Sequence, residues 1–550
     1  MADSSISKQS MHVDFEIRQR PKTSNIDSND SNDGSNESQC ADTKLTAQFG
    51  YRPVLKREFG QLSTFSFAVS ISGLFSSIMT TFSYPLASGG ASSVVWCWLI
   101  SGIGCMCLAC SVAELVSAYP TSGGLYFAVC RLVPPKWVPS LSWITGWLNL
   151  LGQITGLASV EYGSAQILLA AISMAQDYNF EITMKMTIAV MAVLVVFCGL
   201  VNSLSTYWME KMTKIYVIFH MCVLFSCAVL LLVKTKDKHT AEYVFTHAES
   251  KTGWNPLGFS FLFGFLSVSW TMTDYDATAH IAEEIEDPEV KAPWAIFLAM
   301  LFTCLAGFFF NIVLCFCMGD PSEILNSPIM QPVAQIFENR LGKTCGIFYT
   351  ICGFIILQFV CFTTMQATSR TVFAFSRDKL LPFSQVWLSV NQWTGTPINA
   401  VWITVLLCIL VNLIGLGSPI AIVGVFNVCI IFIDMSYCIP ISCKLYYGKF
   451  QPGPWHMGKI GWWVNVWALI WTFFVSTIFL MPTMRPVSAQ NMNYAIAYLA
   501  FILAFAWVFW IVSGRKYYSG PIDETLGDII TGSYSEKHVE GEQDDKYSNV

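Results

Sequence analysis

Two aspartates two positions apart, Asp274 and Asp276, sit in an otherwise apolar or small-residue stretch, FLSVSWTMTDYDATAHIAEE. Carboxylates this close do not both ionise easily without a cation between them. The pair therefore suits a proton carrier, a seat for a positively charged amine, or both. Against this stand plainer roles: Asp276 as the hydrogen-bonded cap of a half-helix, and Asp274 facing a water-filled vestibule. A third acid, Glu161 in GLASVEYGSAQ, lies among apolar and small residues. Water or a partner must satisfy it there, and linkage to substrate or proton competes with a structural hydrogen bond.

These acids count as unusual because of what surrounds them. The 550 residues are 54% hydrophobic and 12% charged, with a mean hydropathy of +0.50. A soluble domain carries about a quarter charged residues. The charge is concentrated towards the two ends, and the middle is a series of apolar runs. Runs of roughly 18 or more apolar residues can cross a hydrocarbon core about 30 Å thick. The length thus points to one helical bundle rather than several soluble domains.

Twelve apolar segments are predicted: 63–86, 91–117, 140–174, 186–206, 213–233, 258–280, 293–318, 345–374, 398–416, 420–446, 462–482 and 493–513. The implied organisation is a disordered tail at 1–55, a twelve-helix domain at 56–514 and a second tail at 515–550. Lysines and arginines divide about two to one in favour of loops on the side of both termini, which places the termini in the cytosol. The N-terminus opens polar, so the first apolar segment is expected to serve as its own insertion signal. Cysteines such as Cys105, Cys107, Cys315 and Cys317 fall inside apolar runs. They read as helix-packing residues, and no metal or disulfide spacing is visible. The net charge of −6 is dispersed and implies no nucleic-acid partner.

Two segments make poor continuous helices. The first, FAVSISGLFSSIMTTFSYP, is interrupted by Ser70, Ser72, Gly73, Ser76 and Ser77, with Pro85 near its end. The sixth clusters Ser267, Ser269, Thr271, Thr273, Asp274 and Asp276 at its middle. Each opens a potential five-helix unit, and matched interrupted helices in two repeats point to a transporter site. Their half-helix N-termini offer free N–H groups and positive dipole ends to anions. Unwound carbonyls and acids can hold an ammonium group. Small residues that permit close helix packing are the alternative for either segment alone.

Several motifs resemble those of the amino acid–polyamine–organocation superfamily of permeases. AELVSAYPTSGGLYFAV (113–129) resembles its signature after the second helix, and WTMTDYDATAHIAEEIEDPEVKAPWAI (270–296) its sixth helix and the following turn. SRTVFAFSRDKLLP (369–382) and GTPINA (395–400) resemble the loop after its eighth helix. YPTSGGLY, SVEYG and His280 followed by Glu283 and Glu284 are most similar to the fungal permeases for γ-aminobutyrate, choline and polyamines. The resemblance implies an all-α membrane protein with a LeuT-like inverted repeat of five plus five helices and two further helices. Substrate would lie between broken helices 1 and 6. It aligns Ser76, Ser77 and Ile78 with a break that binds carboxylates through backbone N–H, although serines stand here where the family has glycines. It makes Trp270 an aromatic lid able to hold an ammonium by cation–π attraction, with Phe75 and Tyr275 as candidate helpers. It makes Asp276 a gating or proton-linked acid. It also puts His220 where many relatives carry a positive charge, and a histidine titrates near neutral pH.

The expected substrate-binding set is therefore Ser72, Gly73, Ser76, Ser77, Ile78, Glu161, Trp270, Thr273 and Asp274. The proton-coupling or gating set is Asp276, His220, Glu161 and Trp270. Glu114, Glu283 and Glu284 near the cytosolic surface could pair with Arg370 or Arg377 as an inner gate. No phosphate-binding G-x-x-x-x-G-K-[ST] loop is present, so the expected activity is proton-driven import of an amino acid such as γ-aminobutyrate by alternating access. Choline, a polyamine or a thiamine-like cation is the second substrate class, and a non-transporting nutrient sensor the rival of another kind. No cofactor or enzymatic activity is expected. The plasma membrane is the first expected location, with vacuolar or other endomembranes the alternative. Lys8, Lys22 and Lys44 are candidate acceptors for a ubiquitin ligase.

Overall fold

A computed structural model of the chain describes residues 57–417, 419–488 and 492–521. Residues 1–55 and the part of the C-terminal tail after residue 521 lie outside that description. Among the described residues the regular structure is all helical, apart from one isolated bridge between Phe59 and Ile285.

The first apolar segment forms α1 (Gln61–Ser72) and α2 (Leu74–Thr81), followed by α3 (Ser83–Ala118) and the short α4 (Gly124–Leu132). The long α5 (Val138–Ala175), α6 (Met184–Asn202) and α7 (Thr206–Lys234) come next. The sixth segment supplies α8 (Phe265–Thr271) and α9 (Ala277–His280). Beyond it lie α10 (Pro288–Cys317), α11 (Pro332–Leu341), α12 (Lys343–Arg377), α13 (Ile398–Gly417), α14 (Pro419–Tyr447), α15 (Gly461–Phe479) and α16 (Ala495–Phe509).

Eleven stretches of described helix are long and apolar enough to cross a bilayer. The sixth expected segment is not among them. A turn at 263–264 and an opening at 272–276 divide it, leaving Leu257–Thr271 as its longest apolar piece. A lipid-facing helix cannot be cut this way, because each freed N–H and C=O needs a partner that hydrocarbon does not offer. The cut pieces are accordingly enclosed: Phe265 through Ala282 are all buried.

The remaining helices sort by how much polar side chain they carry. Burial covers 89% of the most apolar window in both the first span and α14, but only 11% in the last span. α3 packs along α10, and α5 packs along both α14 and α12. Thiols help at the crossings, as expected of packing cysteines: Cys315 donates to the Ala91 carbonyl at 3.8 Å and Cys317 to that of Leu231 at 3.6 Å.

Gly73, between α1 and α2, has φ 47° and ψ 42°, and a Cβ there would run into the Val360 side chain. The left-handed conformation alone costs an L-residue about 1–2 kcal/mol. Gly73→Ala should therefore lower the thermal melting temperature of the detergent-solubilised protein, with transport falling alongside. Unchanged melting would show that the chain passes this point in another way.

Candidate functional site

The chain leaves α1 at Gly73, three residues before the expected break. Ser76, Ser77 and Ile78 lie inside α2 instead. The serines have another use: Ser77 donates to the Ser72 carbonyl at 2.6 Å, an acceptor freed by the interruption, and Ser76 adds a second donor at 2.9 Å to the Gly73 carbonyl, which already accepts the Ser77 N–H. The Ser72 hydroxyl is buried with no partner. His220, on α7, completes the junction. The Phe75 N–H, one of the donors left free at a helix start, donates to His220 Nε2 at 3.2 Å, while Nδ1 faces the Tyr216 hydroxyl at 3.0 Å. A nitrogen that accepts from an amide bears no proton. In this conformation His220 therefore caps the start of α2 as a hydrogen-bond acceptor, the plainer of the two roles open to it.

The second break begins where α8 ends at Thr271. Asp274 takes φ 57°, and the Ala277 N–H returns to the Asp274 carbonyl at 3.0 Å to start α9. The two breaks share one cavity, lined on one side by Ile71 and Ser77 and on the other by Trp270, Thr273 and Asp274. Val160, Val360 and Ile433 supply apolar wall. Its volume of about 30 Å³ admits a water or two. Two polar atoms here are buried without a partner: Thr273 Oγ1 and Asp274 Oδ1. The Trp270 indole is held in place by donating to Ser159 Oγ at 3.1 Å, and its ring lies 5.4 Å from that of Phe426. Of the helpers expected for it, Phe75 stacks on Phe337 and Tyr275 pairs with Tyr437.

Asp276 points away from the cavity into a network that crosses the bundle. Asn149 on α5 donates to its Oδ2 at 2.7 Å, and Tyr437 on α14 donates to its Oδ1. Gln153 donates to Asn149 Oδ1 at 3.0 Å, and Thr371 on α12 donates to Gln153 Oε1 at 2.9 Å. His280 Nε2 lies 3.2 Å from Asp276 Oδ2, with Nδ1 3.0 Å from the Ser122 carbonyl oxygen. Asn149, Gln153, Tyr437 and Thr371 are absent from the expected site. Their signal was two amides at i, i+4 spacing within an apolar helix, SWITGWLNLLGQITG, where side-chain amides tie helices together.

Comparison with known proteins bears on what such a site serves. A family model described as amino acid permease matches residues 59–502. This chain belongs to the amino acid permease family, within the amino acid–polyamine–organocation superfamily. It is 56% identical to an uncharacterised amino-acid permease of Schizosaccharomyces pombe, over 86% of this chain and 88% of that one. It is 48% identical to amino-acid permease 2 of Neurospora crassa (87% and 89% covered) and 29% identical to amino-acid permease BAT1 of Arabidopsis thaliana (87% and 96%). The permease is thus a multi-pass membrane protein of a transporter family rather than an enzyme family.

Glu161 of the permease does not reach the cavity, whose α5 wall is Gly156 and Val160. It lies fully buried beside Gln358, whose Nε2 is 3.5 Å from Oε2, with Cys198, Cys361 and Cys408 around it. Its carboxyl thus sits outside the lining of the cavity between the two breaks. An acid the sequence analysis overlooked, Asp434 on α14, is buried within electrostatic reach of Asp276.

The end of the bundle bearing Phe59 carries three ion pairs. Arg370 and Glu284, 1% and 0% exposed, meet at 2.7 Å, with Gln366 donating to the other Glu284 oxygen at 2.9 Å. Arg377 pairs with Glu283 at 3.2 Å, and Lys444 with Glu114. Glu114 thus finds a lysine rather than an arginine. The Glu58 and Phe59 N–H groups both donate to the Glu284 carbonyl at 3.0 Å, strapping the start of the described chain to the same turn. Removing one member of a buried pair costs about 3–5 kcal/mol, whereas replacing both by apolar residues is close to neutral. Arg370→Ala should therefore melt far below wild type, and Arg370→Met combined with Glu284→Leu should recover most of the loss. Equal melting of the single and double variants would show that the pair is not desolvated.

Proposed function

We propose that this permease is a proton-coupled secondary transporter that imports an amine-bearing amino acid by alternating access. The observation that carries this reading is the unpartnered Asp274 oxygen on a closed cavity between two helix breaks, beside an aromatic face. A buried carboxylate oxygen without a donor is costly to keep, and an ammonium group supplies both donor and charge. Trp270 adds cation–π attraction from the wall. The broken sixth segment, counted with the eleven long spans, gives twelve crossings, which fits a repeat of five plus five helices with two more. Loop lysines and arginines favour cytosolic termini, so the Glu284–Arg370 end is the inner gate. With that gate paired and the cavity small, we take this conformation as an occluded one. The plasma membrane is the proposed site of action. The relatives' names, all amino-acid permeases, support an amino acid substrate.

One observation favours a second substrate class. The Phe75 N–H, which a substrate carboxylate could have used, is already taken by His220. Cations without a carboxylate, such as choline or putrescine, forfeit nothing by that arrangement.

The test is uptake of radiolabelled γ-aminobutyrate, choline and putrescine at external pH 5 to 8 in yeast lacking the corresponding permeases. Saturable, acid-stimulated accumulation of one compound is expected. Asp274→Asn should raise its KM by roughly 10–100-fold, the worth of one charged hydrogen bond, at normal surface expression. Uptake that is unsaturable or indifferent to pH would exclude a proton-coupled carrier, and an unchanged KM would remove Asp274 from the site.

A further inference from the structure

His280 belongs to the part of the sixth segment that leads away from the cavity, and the expected proton-linked set omits it. Its surroundings fix how many protons it can hold. A backbone carbonyl only accepts, so the 3.0 Å contact with Ser122 requires a proton on Nδ1. That leaves Nε2, 3.2 Å from Asp276 Oδ2. With no proton between them, a nitrogen lone pair would face a carboxylate oxygen, and the contact would repel. With one proton it is attractive, either as imidazolium and carboxylate or as imidazole and carboxylic acid.

The rest of the network favours the charged form. Thr371, Gln153 and Asn149 each donate to the next member, and the series ends on Asp276; Tyr437 donates from the other side. Asn149 and Tyr437 thus both present hydrogen to the carboxylate, which also has the Asp274 carboxyl beside it. The seat is also built to fit the ring. Gly124 has φ 54°, and a Cβ there would lie 3.0 Å from His280 Cε1. The second glycine of YPTSGGLY thus leaves room for the imidazole beside Ser122. The other ionisable groups facing the pair are Asp274 and Tyr275 on the same segment, and Asp434 and Tyr437 on α14. None of them is a cation, so His280 is the group that can balance Asp276.

We infer that His280 and Asp276 together hold the coupled proton of the occluded permease, and that its loss frees α9 from α4, α5 and α14. This rests on the proton-coupled reading above. The proton arrives at the pair from water and leaves to water, and no covalent bond is made. While it is present, α9 is fastened through Asp276 to Asn149 and Tyr437 and through His280 to Ser122. Once it departs, Nε2 and Oδ2 repel and the ring must leave its seat. Release of the proton and movement of the inner half of the sixth segment then become one event.

The decisive comparison uses the full chain in proteoliposomes, with whichever of γ-aminobutyrate, choline or putrescine the wild type takes up. His280→Gln keeps a donor where Nε2 stood but cannot carry the extra proton. At an inward gradient of about one pH unit and no membrane potential, one-to-one coupling sets wild-type accumulation at about tenfold. His280→Gln should show none, while substrate–substrate exchange at equal pH falls by less than about tenfold; Asp276→Asn should match it, and the double variant should be no worse than either. Accumulation by His280→Gln equal to wild type overturns the inference. So does a parallel loss of exchange and accumulation in a folded variant, which marks a structural role. Absence of gradient-driven accumulation by the wild type instead defeats proton coupling itself. A second readout needs no transport: nitrogen-15 histidine NMR of the purified protein. One histidine, identified by its absence in His280→Gln or its shift in Asp276→Asn, should keep a proton on Nδ1 from pH 5 to 8. A free Nδ1 on that residue contradicts the proton count.

Discussion

Backbone that leaves a helix inside a hydrocarbon layer meets no water, so each N–H and C=O it releases must be answered by the protein. Most of the unusual chemistry of this chain follows from that demand. The chain is opened twice, at Gly73 and at 272–276, and partners gather at both openings. Ser76 and Ser77 turn back onto carbonyls, and His220 reaches across from α7 to a single amide. Because such partners are polar, they can be kept only at the centre, which is why α1, α2, α8 and α9 are enclosed and α16 is left to face lipid. A polar interior and a broken chain are here one solution to one constraint.

Buried charge follows two different rules in this molecule. Glu284 and Arg370 are matched closely, and a further amide takes up the remaining carboxylate oxygen. Such a group has no reason to attract anything else. Asp274 is the opposite case, an acid with one oxygen left bare on the wall of a space too small to hold a substrate as it stands. Asp276 lies between the two, its oxygens met by Asn149 and Tyr437 and by the His280 ring.

What could be read from the residues alone separates along physical lines. Apolar run length reports lipid directly, so eleven of the twelve expected segments return as spans, two of them starting seven or eight residues earlier than expected. The twelfth departs for the reason that made it interesting, its polar centre. Trp270, Thr273 and Asp274 were legible because the motif places them at the opening itself. Glu161 misled: a carboxyl on a mostly buried helix announces that it needs a partner, but not which side of the helix it is on. On α5 it turns towards Gln358 while Val160, one position earlier, lines the cavity. The line Thr371–Gln153–Asn149–Asp276 joins three helices through uncharged amides and a hydroxyl. Such residues carry little signal singly, and only their meeting in space gives them meaning. The position of the first break was misjudged because serines were weighed as helix breakers, whereas α2 retains them by bonding their hydroxyls to its own carbonyls.

The strap at Phe59 gives the closed end a mechanical property. Two amides hang from the Glu284 carbonyl, and the Glu286 N–H returns to the Phe59 carbonyl at 3.0 Å, while the Glu284 side chain grips Arg370. One residue thus fastens the foot of α1 through its main chain and the foot of α12 through its carboxylate. The two fastenings cannot slip one after the other without leaving Glu284 half attached in a dry place. Separating α1 from α12 at this end therefore strains both fastenings of one residue at once, a latch with two bolts on one handle.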